Sequence, residues 1–585
     1  MQTFALRMNH ALTGMPAFVS STVKQVSRPL AAGSGFAVHG CYCTITVLAV
    51  LAVGVAILCA VAAFDRSSDD EPMGFEEAQA PGMPRMIFWA GRWLAEDWQR
   101  YHFAISGITR SGKSILFSLY LRSVIPLIVP GSDQRLILFD PKNELHPALF
   151  ANVPVPVHFL LPSDERSSRW DYARDFDNPA AVMQFCEGLV PQPHDSNVFF
   201  TLAERELIGA VLNSLNQTHW HSWDLTDVVH ILKEREFLTQ VLRRCPGSRS
   251  ALRLMGEPRT WANIEATLAT HLHTLELMAA MSSRAERTFS LSDFVKSEGI
   301  LVLGRDPRYT ALFDPINTLL LTHLFSHLLA QGDSRTRRTY IAIDELTVAA
   351  GDKRPLPGFK DVCERGASRG IVISITYQSY ASMNEIYKEG ADAILANLQN
   401  RVFLVAGDTP TAEFDSKLFG KNRDWIKTKS ETSSWGAQAG ESRTVSDHYH
   451  EEDAVPVEKF FKLSPATPEH GLTGYWLSPQ PLRSSAPFHL TGEWIDENLP
   501  KKDPDIAPYL ERPNHHQHLE PLSYKDLRRL KLTLPEPAED ADDGGAAVVK
   551  AARRPSTPPR ATDDITGKLR RLIGSAWSPD DDHEA

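Results

Sequence analysis

Two stretches of this chain carry groups whose types and spacing suit phosphate chemistry. Gly107, Ile108, Thr109, Arg110, Ser111, Gly112, Lys113 and Ser114 read G-x-x-x-x-G-K-S. In such a loop, backbone N–H groups at a helix N-terminus wrap a polyphosphate, the lysine reaches the β- and γ-phosphates, and the hydroxyl ligates a divalent cation. ATP and Mg²⁺ are the expected cofactors, with Lys113 as the catalytic cation and Ser114 as a metal ligand. Some 230 residues further on, the apolar run Thr339–Ile343 ends in the adjacent carboxylates Asp344 and Glu345. An acid there can hold Mg²⁺, directly or through water, and its neighbour can polarise an attacking water. Gln378 closes a third apolar run, 370–377, where an amide can touch the γ-phosphate or that water. Asp140 ends a fourth, Arg135–Phe139, and is a further candidate at the nucleotide.

Each of these groups needs an element to present it. The β-prone run Tyr101–Ile105 enters the loop and the apolar helical run Ile115–Leu121 leaves it, which is the strand–loop–helix context the motif requires. A buried parallel strand delivers a polar residue to the C-terminal edge of its sheet, as the runs ending in Asp140, Asp344 and Gln378 would. Gly299–Gly304 and Asn400–Ala406 read as further strands, and Ile316–Gln331 as a long helix. From about 178 to 290 helical spacing takes over, as in Phe199–Leu212 and Ile264–Leu272, so an all-helical insert interrupts the sheet.

The chain has 585 residues, 43% hydrophobic and 23% charged, which calls for at least two domains of ordinary globular composition. Its net charge of −11 excludes a global cationic field, so contact with nucleic acid must come from local clusters such as Arg243-Arg244, Arg335 to Arg338 and Arg528-Arg529-Leu-Lys531. Each cluster reads equally as a solvated helix face. Among six cysteines no C-x-x-C pair occurs, which argues against a zinc site or a disulfide framework. His515, His516 and His518 lack an acidic or cysteine partner at ligand spacing and read as a loop cluster.

Ile45 to Phe64 is twenty residues without a charge, long enough to span a bilayer. Basic residues before it and acidic ones after it favour an outward C-terminal body, whereas an ATP site requires a cytoplasmic one. The second argument prevails, giving a single-pass anchor. Only about forty residues separate Phe64 from the loop at Gly107, which sets the nucleotide body against the membrane. Beyond Pro500 core-forming residues thin out, and Pro, Asp, Glu and Ala dominate from Leu534 to Asp564. A basic–apolar piece, Ile565–Trp577, then follows and reads either as a docking tail or as solvated disorder.

Taken in order, the loop, Asp140-Pro-Lys-Asn-Glu144, Trp170-Asp171, Tyr340–Glu345, Gly366–Gly370 and Thr376–Ser379 resemble the type IV secretion coupling proteins, the TraD/TraG-like ATPases of conjugation machines. Leu418-Phe-Gly420 and Gly471–Gly474 extend the resemblance, which spans residues 100 to 480. It implies an α/β fold: a RecA-like P-loop NTPase domain with an inserted all-α domain, an N-terminal transmembrane helix and a disordered C-terminal tail. The implied division is an arm and anchor (1–64), a linker (65–99), the nucleotide-binding domain (100–177 and 291–500), the all-α insert (178–290) and the tail (501–585). It also implies a homohexamer on the bacterial inner membrane that takes relaxase-bound single-stranded DNA, or protein effectors alone, to the channel components of a type IV secretion system. Arg365 and Arg369 flank the place of the family's trans-acting arginine finger. The family carries two N-terminal spans where this chain shows one. A membrane receptor that binds nucleotide without hydrolysing it is a third reading, opposed by the presence of Asp344, Glu345 and Gln378.

Overall fold

The computed structural model describes residues 71–534 apart from 96–97, 99, 146–148, 151–152, 192–197, 350, 352–353, 434–440, 480–484, 502–506 and 514–517. The apolar segment 45–64 and the tail beyond 534 lie outside the described residues. Among the described residues, no helix is long and apolar enough to cross a membrane.

Fifteen strands occur among the described residues. A hairpin, β1 (Met86–Trp89) and β2 (Arg92–Ala95), precedes the central sheet. The sheet's strands are β3 (Phe103–Ser106), β4 (Gln134–Asp140), β5 (Val157–Leu160), β8 (Gly299–Gly304), β9 (Arg338–Ile343), β10 (Ile371–Tyr377), β11 (Asn400–Phe403), β14 (Leu472–Leu477) and β15 (Ser485–Leu490), in the order 15-14-11-3-10-9-4-8-5. From β11 to β5 every pairing is parallel, and β14 and β15 add an antiparallel edge. Strands β3, β4, β8, β9 and β10 are buried at every residue. That is why they read as unbroken apolar runs rather than alternating ones: a parallel sheet is covered on both faces.

The helices between Pro179 and Ser283 form the insert, entered after β5 and left before β8. Its base is closed by two short strands, β6 (Arg169–Trp170) and β7 (Thr288–Phe289), paired in parallel. The buried Asp175 carboxylate fastens this base, accepting from Trp170 Nε1 (2.7 Å), Ser290 Oγ (2.8 Å) and the amides of Leu291 and Ser292 (2.7 and 3.0 Å). A separate two-stranded ribbon, β12 (Lys421–Ser433) and β13 (Glu441–Asp453), stands between β11 and β14.

Two expectations need correction. Residues 71–95 are not a linker. The β1–β2 hairpin turns at Ala90 and Gly91, both at positive φ (48° and 78°), as a two-residue hairpin turn requires. It buries Ile87, Phe88, Trp89 and Trp93 against the nucleotide body, and Phe75 is pinned by its amide to Asn498 Oδ1 (3.0 Å). The aromatic residues of this stretch face one core from a pleated pair of strands. Nor is the whole of 501–585 an unstructured tail. Residues 507–513 run along the sheet edge, where Arg512, buried to 2% exposure, donates to the carbonyls of Pro162 and Asp164 (2.9 and 3.0 Å). Residues 518–534 then strap the insert through the Tyr524–Leu530 helix, which buries Leu527 and Leu530. Short apolar pieces separated by prolines have too little apolar surface to make a core of their own, but enough to dock on one already formed.

Candidate nucleotide site

The loop sits where the parallel strands end. Gly107 donates its amide to the Tyr377 carbonyl (3.3 Å) and Ile108 donates to Val405 (3.0 Å), so the loop straddles the ends of β10 and β11. Gly107 (φ 154°), Arg110 (φ 66°) and Gly112 (φ 99°) take up positive φ, which turns successive backbone groups toward one concavity. A Cβ on Gly112 would lie 2.3 Å from Leu472 Cδ1, so any other residue would both strain the backbone at φ 99° and displace the Leu472 methyl. Lys113 opens the 12-residue helix Lys113–Val124, and its ammonium donates to the Gly107 and Ile108 carbonyls (2.6 and 3.0 Å), folded back over the concavity. Burial lowers its pKa, opposed by the charges of Glu345 and Asp344. Ser111 Oγ is buried without a hydrogen-bond partner, Ser114 is half-buried on the first helical turn, and Thr109 and Arg110 are exposed at the rim. A concave loop with an orphaned hydroxyl and a folded lysine fits a polyphosphate with its cation.

Strand order decides what else reaches the loop. Because β10 lies between β3 and β9, Gln378 emerges between the loop and the Asp344–Glu345 pair. Its Nε2 is 3.4 Å from Glu345 Oε2, and Thr347 Oγ1 donates to the other oxygen of that carboxylate (3.0 Å). Glu345 adopts φ 62°, a left-handed conformation that costs a non-glycine residue about 1 kcal/mol or more. Burial raises the pKa of Asp344, with the charges of Asp140 and Glu345 adding to it and Lys142 and Thr376 opposing.

Thr376 is the residue that sequence reasoning left without a role. Fully buried, its hydroxyl donates to Asp344 Oδ1 (2.9 Å) and accepts the Glu345 amide (2.8 Å), so one side chain orients the first carboxylate and holds the strained backbone of the second. A hydroxyl within an otherwise apolar run, two residues before the strand-end glutamine, was the available signal.

Asp140, also fully buried, turns back on its own loop and accepts the amides of Glu144 and Leu145 (3.3 and 2.9 Å), which fixes the turn carrying Lys142. Arg365 and Arg369 are not brought to the loop. They precede β10, at the N-terminal edge of the sheet, about 20 Å of strand away from Gln378. Arg365 pairs with Asp361 (3.2 Å) and Arg369 donates to the Arg365 carbonyl (2.8 Å). Of the basic clusters, Arg244 donates to the strap carbonyls of Leu530 (2.7 Å) and Lys531, and Arg529 makes a two-pronged contact with the buried Asp227 (2.7 and 2.8 Å). Cys186, Cys245 and Cys363 are free and buried.

A doubly covered, mainly parallel sheet whose C-terminal edge gathers this loop, two carboxylates and a strand-end glutamine defines a RecA-like P-loop nucleotide-binding domain. Residues 90–476 match the model of the type IV secretion-system coupling protein DNA-binding domain, and the chain belongs to that family. It is 24% identical over 363 residues to the coupling protein TraD of Escherichia coli K12, covering 59% of this chain and 47% of that one, so it spans about half the length of that relative. Among solved structures it is similar to the bacterial conjugative coupling protein TrwBdeltaN70 in an unbound form (TM-score 0.54, 16% identity, 73% of this chain and 92% of that one). Forms of TrwB in complex with the ATP analogue ADPNP and with ADP and Mg²⁺ match to the same extent, each with a TM-score of 0.54.

Proposed function

We propose that this protein is an ATPase of a conjugation or type IV secretion system that receives a relaxase-bound DNA strand and drives single-stranded DNA into the channel. In this reading it works as a homohexamer anchored by residues 45–64 in the bacterial inner membrane, with the nucleotide body on the cytoplasmic side. The observation that carries the proposal is the placement of Gln378 between the loop and Glu345, a geometry suited to hydrolysis rather than to nucleotide storage. Lys113 would leave the loop carbonyls for the β- and γ-phosphates, and Ser114 and Asp344 would hold Mg²⁺, which when bound would offset phosphate charge. Glu345 accepts the proton of the attacking water, and Gln378 orients that water and senses the γ-phosphate. Asp140 acts through its turn, keeping Lys142 within reach of the Asp344 charge. Arg365 or Arg369, remote from its own loop, supplies positive charge to the neighbouring subunit's nucleotide. Family membership and the ADPNP and ADP–Mg²⁺ complexes of TrwB support the cofactor assignment.

The test is ATP hydrolysis by the full chain in nanodiscs, with and without single-stranded DNA. The expected result is DNA-stimulated turnover that Lys113→Ala abolishes, that Arg365→Ala or Arg369→Ala also abolishes in uniform rings, and that returns in part when the Lys113→Ala and arginine variants are mixed, because a Lys113→Ala subunit still offers its arginine to a neighbour with an intact loop. Turnover retained by Lys113→Ala would overturn the site assignment. Turnover indifferent to DNA would overturn the DNA substrate in favour of protein effectors alone.

A further inference from the structure

The insert carries a groove of about 520 Å³ between the helices Pro179–Leu189 and Val198–Thr218. Its two rims repeat one pattern. Met183 and Glu187 lie one turn apart on the first helix, and Leu202 and Glu206 one turn apart on the second. Met183 is 60% and Leu202 51% exposed, high values for large apolar side chains above an apolar floor that includes Val182. Such a pair of rims suits a helix with an apolar stripe and a basic flank.

One segment of this chain has that character. In Ile565–Trp577 the apolar residues Ile565, Leu569, Leu572, Ile573 and Trp577 fall at i, i+4, i+7, i+8 and i+12, and Lys568, Arg570 and Arg571 give it three positive charges and no negative one. The strap delivers it to the right place. Arg244 holds the Lys531 carbonyl, and Gly247, three residues on from Arg244, lines the groove. Thirty residues, 535–564, separate the end of the strap from the segment. Thirty residues of chain span ~30 Å root-mean-square as a coil, and tethering at such range gives an effective concentration near the millimolar level. Gly567 and Gly574 each weaken a free helix by ~1 kcal/mol, so the segment gains its helix from the groove rather than bringing one.

We infer that Ile565–Trp577 docks into the groove of its own insert, placing Leu569, Leu572 and Ile573 between Met183 and Leu202 and its basic flank against Glu187 and Glu206. The inference is independent of the substrate proposed above.

The test uses the full chain carrying Met183→Cys, with alkylation of that position followed by peptide mass spectrometry. Against a contact of ~0.1 mM affinity, millimolar tethering slows alkylation about tenfold. Adding Leu569→Asp, Leu572→Asp and Ile573→Asp in the tail should restore the fast rate, as should Leu202→Asp at the exposed rim, where the fold is not at risk. Gly574→Ala should slow alkylation further. Equal rates with the intact and the triply substituted tail would overturn the proposal. So would protection that disappears on dilution, which would assign the groove to another copy's tail, or protection that persists in the tail variant, which would assign it to a different occupant.

Discussion

Replacing Thr376 with valine removes one hydroxyl from the centre of the site while keeping the branched shape and strand propensity of the residue. Two bonds go with it: the one given to the Asp344 carboxylate (2.9 Å) and the one taken from the Glu345 amide (2.8 Å). A bond to a charged group contributes about 1.5–3 kcal/mol and a buried amide left unpaired costs about 1–3 kcal/mol; sharing one hydroxyl, they sum to about 2–4 kcal/mol. The effect on the proposed metal site is separate. The hydroxyl is one of the groups holding down an Asp344 pKa that burial has already raised, so valine lets it rise further. A carboxyl raised in the folded state binds its proton more tightly than in the unfolded chain, so its contribution to stability is greatest at acid pH and is lost as pH rises through the raised value. Mg²⁺ competes with that proton. Thr376→Val should therefore lower the melting temperature by several degrees, weaken Mg²⁺-dependent nucleotide binding, and move the acid limb of the hydrolysis profile to higher pH. Thr376→Ser should restore all three. Calorimetric unfolding, titration of nucleotide at graded Mg²⁺, and turnover between pH 5.5 and 9 measure them. A valine variant that is folded, with unchanged Mg²⁺ dependence and an unchanged acid limb, would refute the reasoning.

Other outcomes follow from the same geometry. Gly112→Ala places a methyl 2.3 Å from Leu472 Cδ1 at φ 99°, and should lose nucleotide binding by calorimetry while keeping the far-ultraviolet dichroism of the wild type. Arg529→Ala leaves Asp227, 1% exposed, without its two-pronged partner, and should cost about 1–3 kcal/mol after allowance for the solvent around the arginine, with earlier proteolytic cleavage between residues 518 and 534. His102 and His323 are both buried, and burial lowers each pKa from 6.5 to about 4. Because the folded values lie below the unfolded one, stability present at neutral pH is lost as pH falls from 6.5 toward 4. The loss is on the order of 3 kcal/mol per histidine, visible as a drop in denaturant midpoint that His323→Gln halves.

The strands that end in candidate site residues were legible because a doubly covered parallel sheet leaves an unbroken apolar run ending in a polar residue, as at Asp140, Asp344 and Gln378. The insert was legible because its helices keep a 3.6-residue period, as in Phe199–Leu212. What escaped the sequence depended on partners distant along the chain. The β1–β2 hairpin packs on Trp494, whose ring stacks on Phe88 (5.1 Å), and the segment before it is tied to Trp494 and Asn498 through Pro72 and Phe75, some four hundred residues away in sequence; nothing local distinguishes its tryptophans from those of a helix face. The strap has no core of its own, and Arg512 finds its carbonyls only at Pro162 to Glu165. Thr376 gains its role from strand order, since only the placement of β10 beside β9 sets its hydroxyl between Asp344 and Glu345. Arg365 and Arg369 were singled out together with the loop residues, yet the sheet separates them by its full depth.

The strap also sets a schedule. Asp227 completes the capping box of the helix that begins at Leu225, and its buried carboxylate meets Arg529, 302 residues later in the chain. A ribosome adding 5–20 residues per second needs roughly 15–60 s to make that span. For that interval the nascent insert holds a buried carboxylate without its arginine and an apolar face that it cannot yet cover. The insert therefore matures last although it is synthesised in the first half of the chain, and it completes its surface only after the sheet that carries the nucleotide site has been made.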